Sequence, residues 1–160
     1  MQESLESVIQ KIDNALHGFR SVRYLAALSV TLSKVLKTRF CFVSQQHTHQ
    51  AYFGSTIVLA ENGSKGKPMV YDLRLAPCRS VFGGQSITIP CNLSELYPGQ
   101  VGMTAYCGVP LLGAGGSVLG VLALLSDKPF SYSATDQVLA AFALRCAQAL
   151  DQLKAEDATQ

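Results

Sequence analysis

AYCGVPLL (residues 105–112), GAGG (113–116) and SVLGVLALLSD (117–127) follow one another without a break and read as a β-hairpin at the centre of a sheet. Val109 to Leu112 and Val118 to Leu125 are apolar runs of strand length, and three glycines in the loop between them can supply the positive φ angles of a tight reversal. Val118 to Leu125 does not alternate apolar with polar residues, so both of its faces are expected to be buried. Helices must then cover both sides of the sheet, with one side free to enclose a pocket.

A chain of 160 residues fits one domain, taken here as residues 1–160. At that length roughly 70% of the unfolded surface can be buried without help from disulfides or metal. Apolar residues make up 48% and charged residues 15%, far from the composition of a disordered chain. The 13 Lys and Arg are dispersed with no basic run, and the net charge is +2, so the electrostatic footprint of a nucleic-acid binder is missing. Glu3, Glu6, Lys11 and Asp13 interrupt the N-terminus where an export signal needs an apolar run. The longest apolar stretch is far short of the roughly 20 residues of a membrane span. Five unclustered cysteines, Cys41, Cys78, Cys91, Cys107 and Cys146, fit reduced thiols. A cytoplasmic protein that contacts neither membrane nor nucleic acid is expected.

Outward from the hairpin, Ser133 and Asp136 give an S-x-x-D start signal for a last helix running to about Leu153. At the other end, Leu5, Val8, Ile9, Ile12 and Leu16 recur at helical spacing until Gly18, and a second helix is expected over Arg20 to Leu36. Arg39 to Ser44, Tyr52 to Leu59, Met69 to Leu73 and Ser86 to Ile89 read as strands. Pro77 starts a short helix ended by Gly83 and Gly84, and Asn92 caps another, broken at Pro98-Gly99. The outcome is an α+β fold: a mostly antiparallel central sheet of about six strands flanked by two terminal helices, with short helices inserted between the middle strands to cover it.

In this order, AYCGVPLL, GAGG, SVLGVLALLSDKPF, YDLRLAPCRSVFGG, ELYP and AFALRCAQAL resemble the GAF domains of bacterial sensor proteins, related in fold to PAS domains. The resemblance covers about residues 12–153. It implies a regulatory module in signal transduction that binds a small molecule or a protein partner and relays the change through its terminal helices to a signalling effector. It also implies a ligand between the sheet and the short helices, where Phe53, Tyr71, Cys78, Arg79, Val81, Phe82 and Tyr106 would line a pocket. Arg79 at a helix start offers an anion site.

The same resemblance implies a homodimer through terminal helices, with Leu5, Ile9, Ile12, Leu16, Leu139, Phe142, Cys146 and Leu153 at its interface. A structural dimerisation module without ligand is the alternative. A thiol-dependent methionine sulfoxide reductase is a third, with Cys78 beside Arg79 as the reactive thiol. The cysteine pattern of that enzyme is not recognisable, and no hydrolase, metalloprotease or nucleotide-loop motif occurs, so no catalytic residue is assigned and a non-enzymatic role is expected. The Asn-Lys and Phe-x-x-x-Asp-Glu words of cyclic-nucleotide-binding GAF domains are absent, and Cys78 is followed by Arg79 where bilin-binding domains carry Cys-His. No cofactor is named. His47 and His49 form an H-x-H pair in a polar loop with no third ligand nearby in sequence, so no metal site is assigned.

Overall fold

A computed structural model describes residues 2–47, 49–50 and 52–158. Helix α1 (Leu5–Ala15) begins at Ser4, whose side chain accepts from the Ser7 amide, and α2 (Ser21–Leu36) ends on Lys37 in the left-handed conformation. Strands β1 (Phe40–Gln46) and β2 (Phe53–Glu61) follow, then two short ones, β3 (Ser64–Lys65) and β4 (Val70–Asp72). After a single 3-10 turn (Leu73–Leu75) come α3 (Cys78–Phe82), β5 (Ile87–Ile89) and α4 (Leu93–Leu96). The hairpin is β6 (Ala105–Leu112) and β7 (Val118–Ser126), and α5 (Thr135–Ala158) closes the chain.

The strands form one antiparallel sheet in the order β3-β2-β1-β7-β6-β5, with β4 pairing the other end of β2, so the two short strands bring the count to seven. The hairpin is central, as its unbroken apolar pattern predicts: β7 pairs with β6 on one side and β1 on the other. Seven consecutive residues of β7, from Gly120 to Ser126, are buried.

Side chains divide by the two-residue period of the strands. Cys41, Val43, Cys107, Val109, Leu122 and Leu124 join α1, α2 and α5 in one apolar cluster. Phe42, Tyr106, Val121, Ala123 and Leu125 join α3 and α4 in a second cluster on the opposite face. The fold is therefore a plate with a helical layer on one side and a cover of short helices on the other.

Local differences from expectation have identifiable causes. The S-x-x-D signal does not form a capping box, because the Ser133 hydroxyl and amide both donate to the Gln2 side-chain carbonyl, at 2.8 and 3.2 Å. The first turn of α5 instead hangs on the Ala134 carbonyl. That helix runs past Leu153 to Ala158, and Ser21 near the start of α2 donates to Glu156 at 2.9 Å. Asn92 sits at a left-handed φ of 60° and makes no side-chain cap bond. In the hairpin loop only Gly115 and Gly116 have positive φ; Gly113 is extended and leaves room for the Leu119 side chain.

Most of the residues expected at a dimer face are packed inside the protomer. Ile12, Leu16, Leu139, Phe142 and Cys146 are at most 3% exposed within the protomer, and Leu5, Ile9 and Leu153 are half-buried against the same cluster. These residues hold α1 and α5 to the sheet, and Arg145 adds an ion pair from α5 to Asp13 on α1. A heptad-like stripe serves intramolecular packing as well as it would a bundle between copies, which is why spacing alone did not separate the two.

Candidate functional site

The site under the short helices is built on two tyrosines. Tyr71 comes from β4 at the sheet edge and Tyr106 from β6 near its centre, and Cys78 opens α3 above them. The Cys78 thiol and the Tyr106 hydroxyl share a hydrogen bond at 2.9 Å, and Tyr71 and Ser44 hydroxyls share one at 2.6 Å. Tyr71 also interacts with the Cys78 sulfur, so Ser44, Tyr71, Cys78 and Tyr106 form one polar chain crossing an otherwise apolar layer. Phe42 meets the edge of the Tyr71 ring at a centroid distance of 5.9 Å.

Two strand glycines make this chain possible. A Cβ on Gly54 would lie 2.7 Å from the Tyr71 ring, and one on Gly108 would collide with the Tyr106 hydroxyl. Each glycine is the seat of a tyrosine, a reason for glycine within a strand that has nothing to do with backbone freedom.

Burial sets the chemistry of these groups. It pushes the Tyr106 and Tyr71 hydroxyls well above the usual phenol range. It likewise raises the Cys78 thiol, and hydrogen bonds from Tyr106 and Tyr71 only partly offset this. A nucleophilic cysteine needs the opposite, a lowered value in a polar, partly exposed setting. Cys78 is 1% exposed, so its thiol works as a neutral hydrogen-bonding group in a core.

The enclosed space is small. Phe42, Met69, Tyr71, Cys78, Gln100 and Tyr106 are among the walls of a cavity of about 50 Å³. Small-molecule pockets have volumes of about 300–1,000 Å³. In this state the cover is closed.

Of the seven residues expected to line the pocket, Tyr71, Cys78 and Tyr106 do so. Val81 and Phe82 instead pack in the apolar cluster beneath α3, Val81 with no exposure at all. Phe53 lies half-buried at the start of β2, outside the cavity wall. Arg79 is exposed and points no charge into the cavity, and α3 is only five residues long, so the expected anion site is not assembled. Ser44, Phe42, Gly54, Gly108 and Gln100 were missed. The bulky residues on strands facing Tyr106 were readable only once the β1–β7–β6 register was known.

The other candidates stay apart. The His47 ring nitrogen Nδ1 accepts from the His49 amide at 3.2 Å. Among the described residues no group of three or more His, Cys, Asp or Glu side chains converges. No described helix is long and apolar enough to cross a membrane.

A family model for the GAF domain matches residues 23–150. The chain belongs to the GAF domain family. Solved structures share the fold across its whole length. The GAF domain of an Acinetobacter phosphoenolpyruvate-protein phosphotransferase has a TM-score of 0.72 at 12% identity, covering 98% of this chain and 99% of that one. A free methionine-R-sulfoxide reductase from Neisseria meningitidis, in complex with its substrate, has a TM-score of 0.72 at 14% identity, covering 98% and 96%. A bacteriophytochrome from R. palustris gives 0.69 at 12% identity, with 98% of this chain matched to 39% of that longer one. At these identities the likeness is one of fold. No curated protein matches the sequence. GAF domains generally act in sensing and regulation, which is the coarse function of this chain.

Proposed function

We propose that this GAF domain is a regulatory switch in which a small molecule enters beneath α3 and α4, and the terminal helices carry the change to a signalling effector. The observation that supports it most is the closed cavity with a connected polar lining. A ligand larger than a few water molecules cannot enter about 50 Å³ without moving residues 76–99. Binding there is thus coupled to a conformational change by volume alone, and the ligand selects the open arrangement by its differential affinity. The end of α3 at Gly83 and Gly84, the latter at φ 100°, gives that segment a place to turn.

Transmission follows from the plate. β1, β6 and β7 carry pocket-side and helix-side residues in alternation, so a shift of Tyr106 moves Cys107 against the helical cluster that includes Phe142 and Cys146. Packed interiors pass such strain on because they contain few voids to absorb it. The setting we infer is cytoplasmic, with the output carried by another domain or protein.

Native and denaturing mass spectra of freshly purified protein test the reading in one sample. A non-covalent mass lost on denaturation is expected. A clean protein mass in both spectra, unchanged after incubation with a small-molecule extract of the source cells, would contradict it.

A further inference from the structure

A second cavity lies beside α2, apart from the space under the short helices. A groove of about 680 Å³ runs between α2 and the outer strands, within the range of small-molecule pockets. On its α2 bank, Val22, Ala26 and Val30 recur every fourth residue, one stripe of the helix. On the other bank, a β-bulge does the shaping. Val43 pairs with Val58 and Ser44 with Thr56, which leaves Ile57 as the extra residue in β2. Ile57 and Val58 consequently both pack toward the helical cluster, two adjacent apolar side chains on one side of a strand. Phe19 and Val22 at the groove are 46% and 40% exposed.

Two cations complete the lining. Arg23 and Lys65 border the groove, and neither takes part in an ion pair among the described residues. Beside them β2 pairs with β3 and β4, the Thr56 amide donates to the Met69 carbonyl and the Leu59 carbonyl accepts from the Gly66 amide. These bonds occupy the β2 backbone on both sides of Ile57 and Val58, which disfavours addition of an extended peptide to β2 at the groove. Twelve residues line the groove, against about 20–30 on each side of a stable protein interface.

From the apolar walls, the uncompensated cations and the volume, we infer that this groove binds an amphiphilic carboxylate, its chain along Val22, Val30, Ile57 and Val58 and its head group at Arg23 and Lys65. The groove shares no lining residue with the cavity under the short helices.

Titration of methyl-labelled protein with dodecanoate below its micelle concentration, beside methyl dodecanoate as the neutral comparator, tests the assignment. Saturable shifts are expected at the Val22, Val30, Ile57 and Val58 methyls. The double variant Arg23→Gln with Lys65→Gln should weaken dodecanoate at least about tenfold and leave the ester unchanged, since both charge-assisted contacts to the head group are lost. Ala26→Trp should block both ligands, and the charge variants keep the test open should that variant not fold. Non-saturable shifts, equal binding of acid and ester, or shifts at Val81 and Val121 on the other face would overturn the assignment. So would the same methyl shifts arising on concentration alone, with sedimentation showing a dimer, since the occupant would then be a second copy.

Discussion

At the scale of single residues, the covered site rests on two tyrosines, their glycine seats and a neutral thiol. Tyr106→Phe removes the hydroxyl that Cys78 bonds and should cost about 1 kcal/mol in urea unfolding, the usual net value of one hydrogen bond. Gly108→Ala places a methyl where the Tyr106 hydroxyl lies, and should cost about 1–3 kcal/mol as an overpacking change. In the background of Tyr106→Phe the alanine should cost less, because the colliding oxygen is gone; additive losses in a double-mutant cycle would refute the seating argument. The buried thiols add a pH signature. Burial pushes Cys107 up from 9.0 to about 11 and Cys146 up to about 12. Between pH 9 and those values the unfolded chain gives up thiol protons that the folded chain keeps, so stability is full below pH 9 and falls as pH rises through the folded values. A urea midpoint measured from pH 8 to pH 11 should decline, and the decline should be shallower in Cys146→Ala.

Elements differ in how far their sequence announced them. The hairpin was legible because Val118 to Leu125 is apolar on both faces, a pattern only a central strand tolerates, and the structure places β7 between β1 and β6. Of the short edge strands, β4 was legible within Met69 to Leu73 and β3 was not, since pairing with β2 defines Ser64 and Lys65 as a strand rather than any propensity of their own. At the candidate site, Tyr71, Cys78 and Tyr106 were legible through the resemblance to GAF domains, which implies a pocket between the sheet and the short helices. Ser44 and the two glycines were not, because their role depends on which strand lies opposite. The helices α1 and α5 show the reverse problem: their stripe was plain, and its destination was not. Ile12 has no exposure, so Ile12→Glu should unfold the protomer rather than merely split a dimer, because an unpaired charge would be buried in a core. Leu144, 69% exposed on α5, should accept glutamate with no change in thermal midpoint. If Ile12→Glu kept the wild-type midpoint in calorimetry, the assignment of α1 to the protomer core would fail.

On the scale of the whole molecule, the plate with two unlike faces is the functional idea. One face holds a closed polar-lined cavity under α3 and α4, the other holds the terminal helices, and β1, β6 and β7 belong to both. Leu122→Ala, on the helical side of the central strand, should cost about 2–5 kcal/mol, because that side chain is fully buried in the helical cluster. Coupling between the faces requires no ligand to be detected, because loosening the cover should do part of what an occupant does. Tyr71→Phe removes the bond to Ser44 and the contact with Cys78, and hydrogen exchange can then be followed peptide by peptide. Faster exchange in residues 76–99 together with α1 and α5, while the β7 core stays protected and so excludes global unfolding, is the result this account predicts. Faster exchange confined to residues 76–99, with α1 and α5 at wild-type rates, would contradict it.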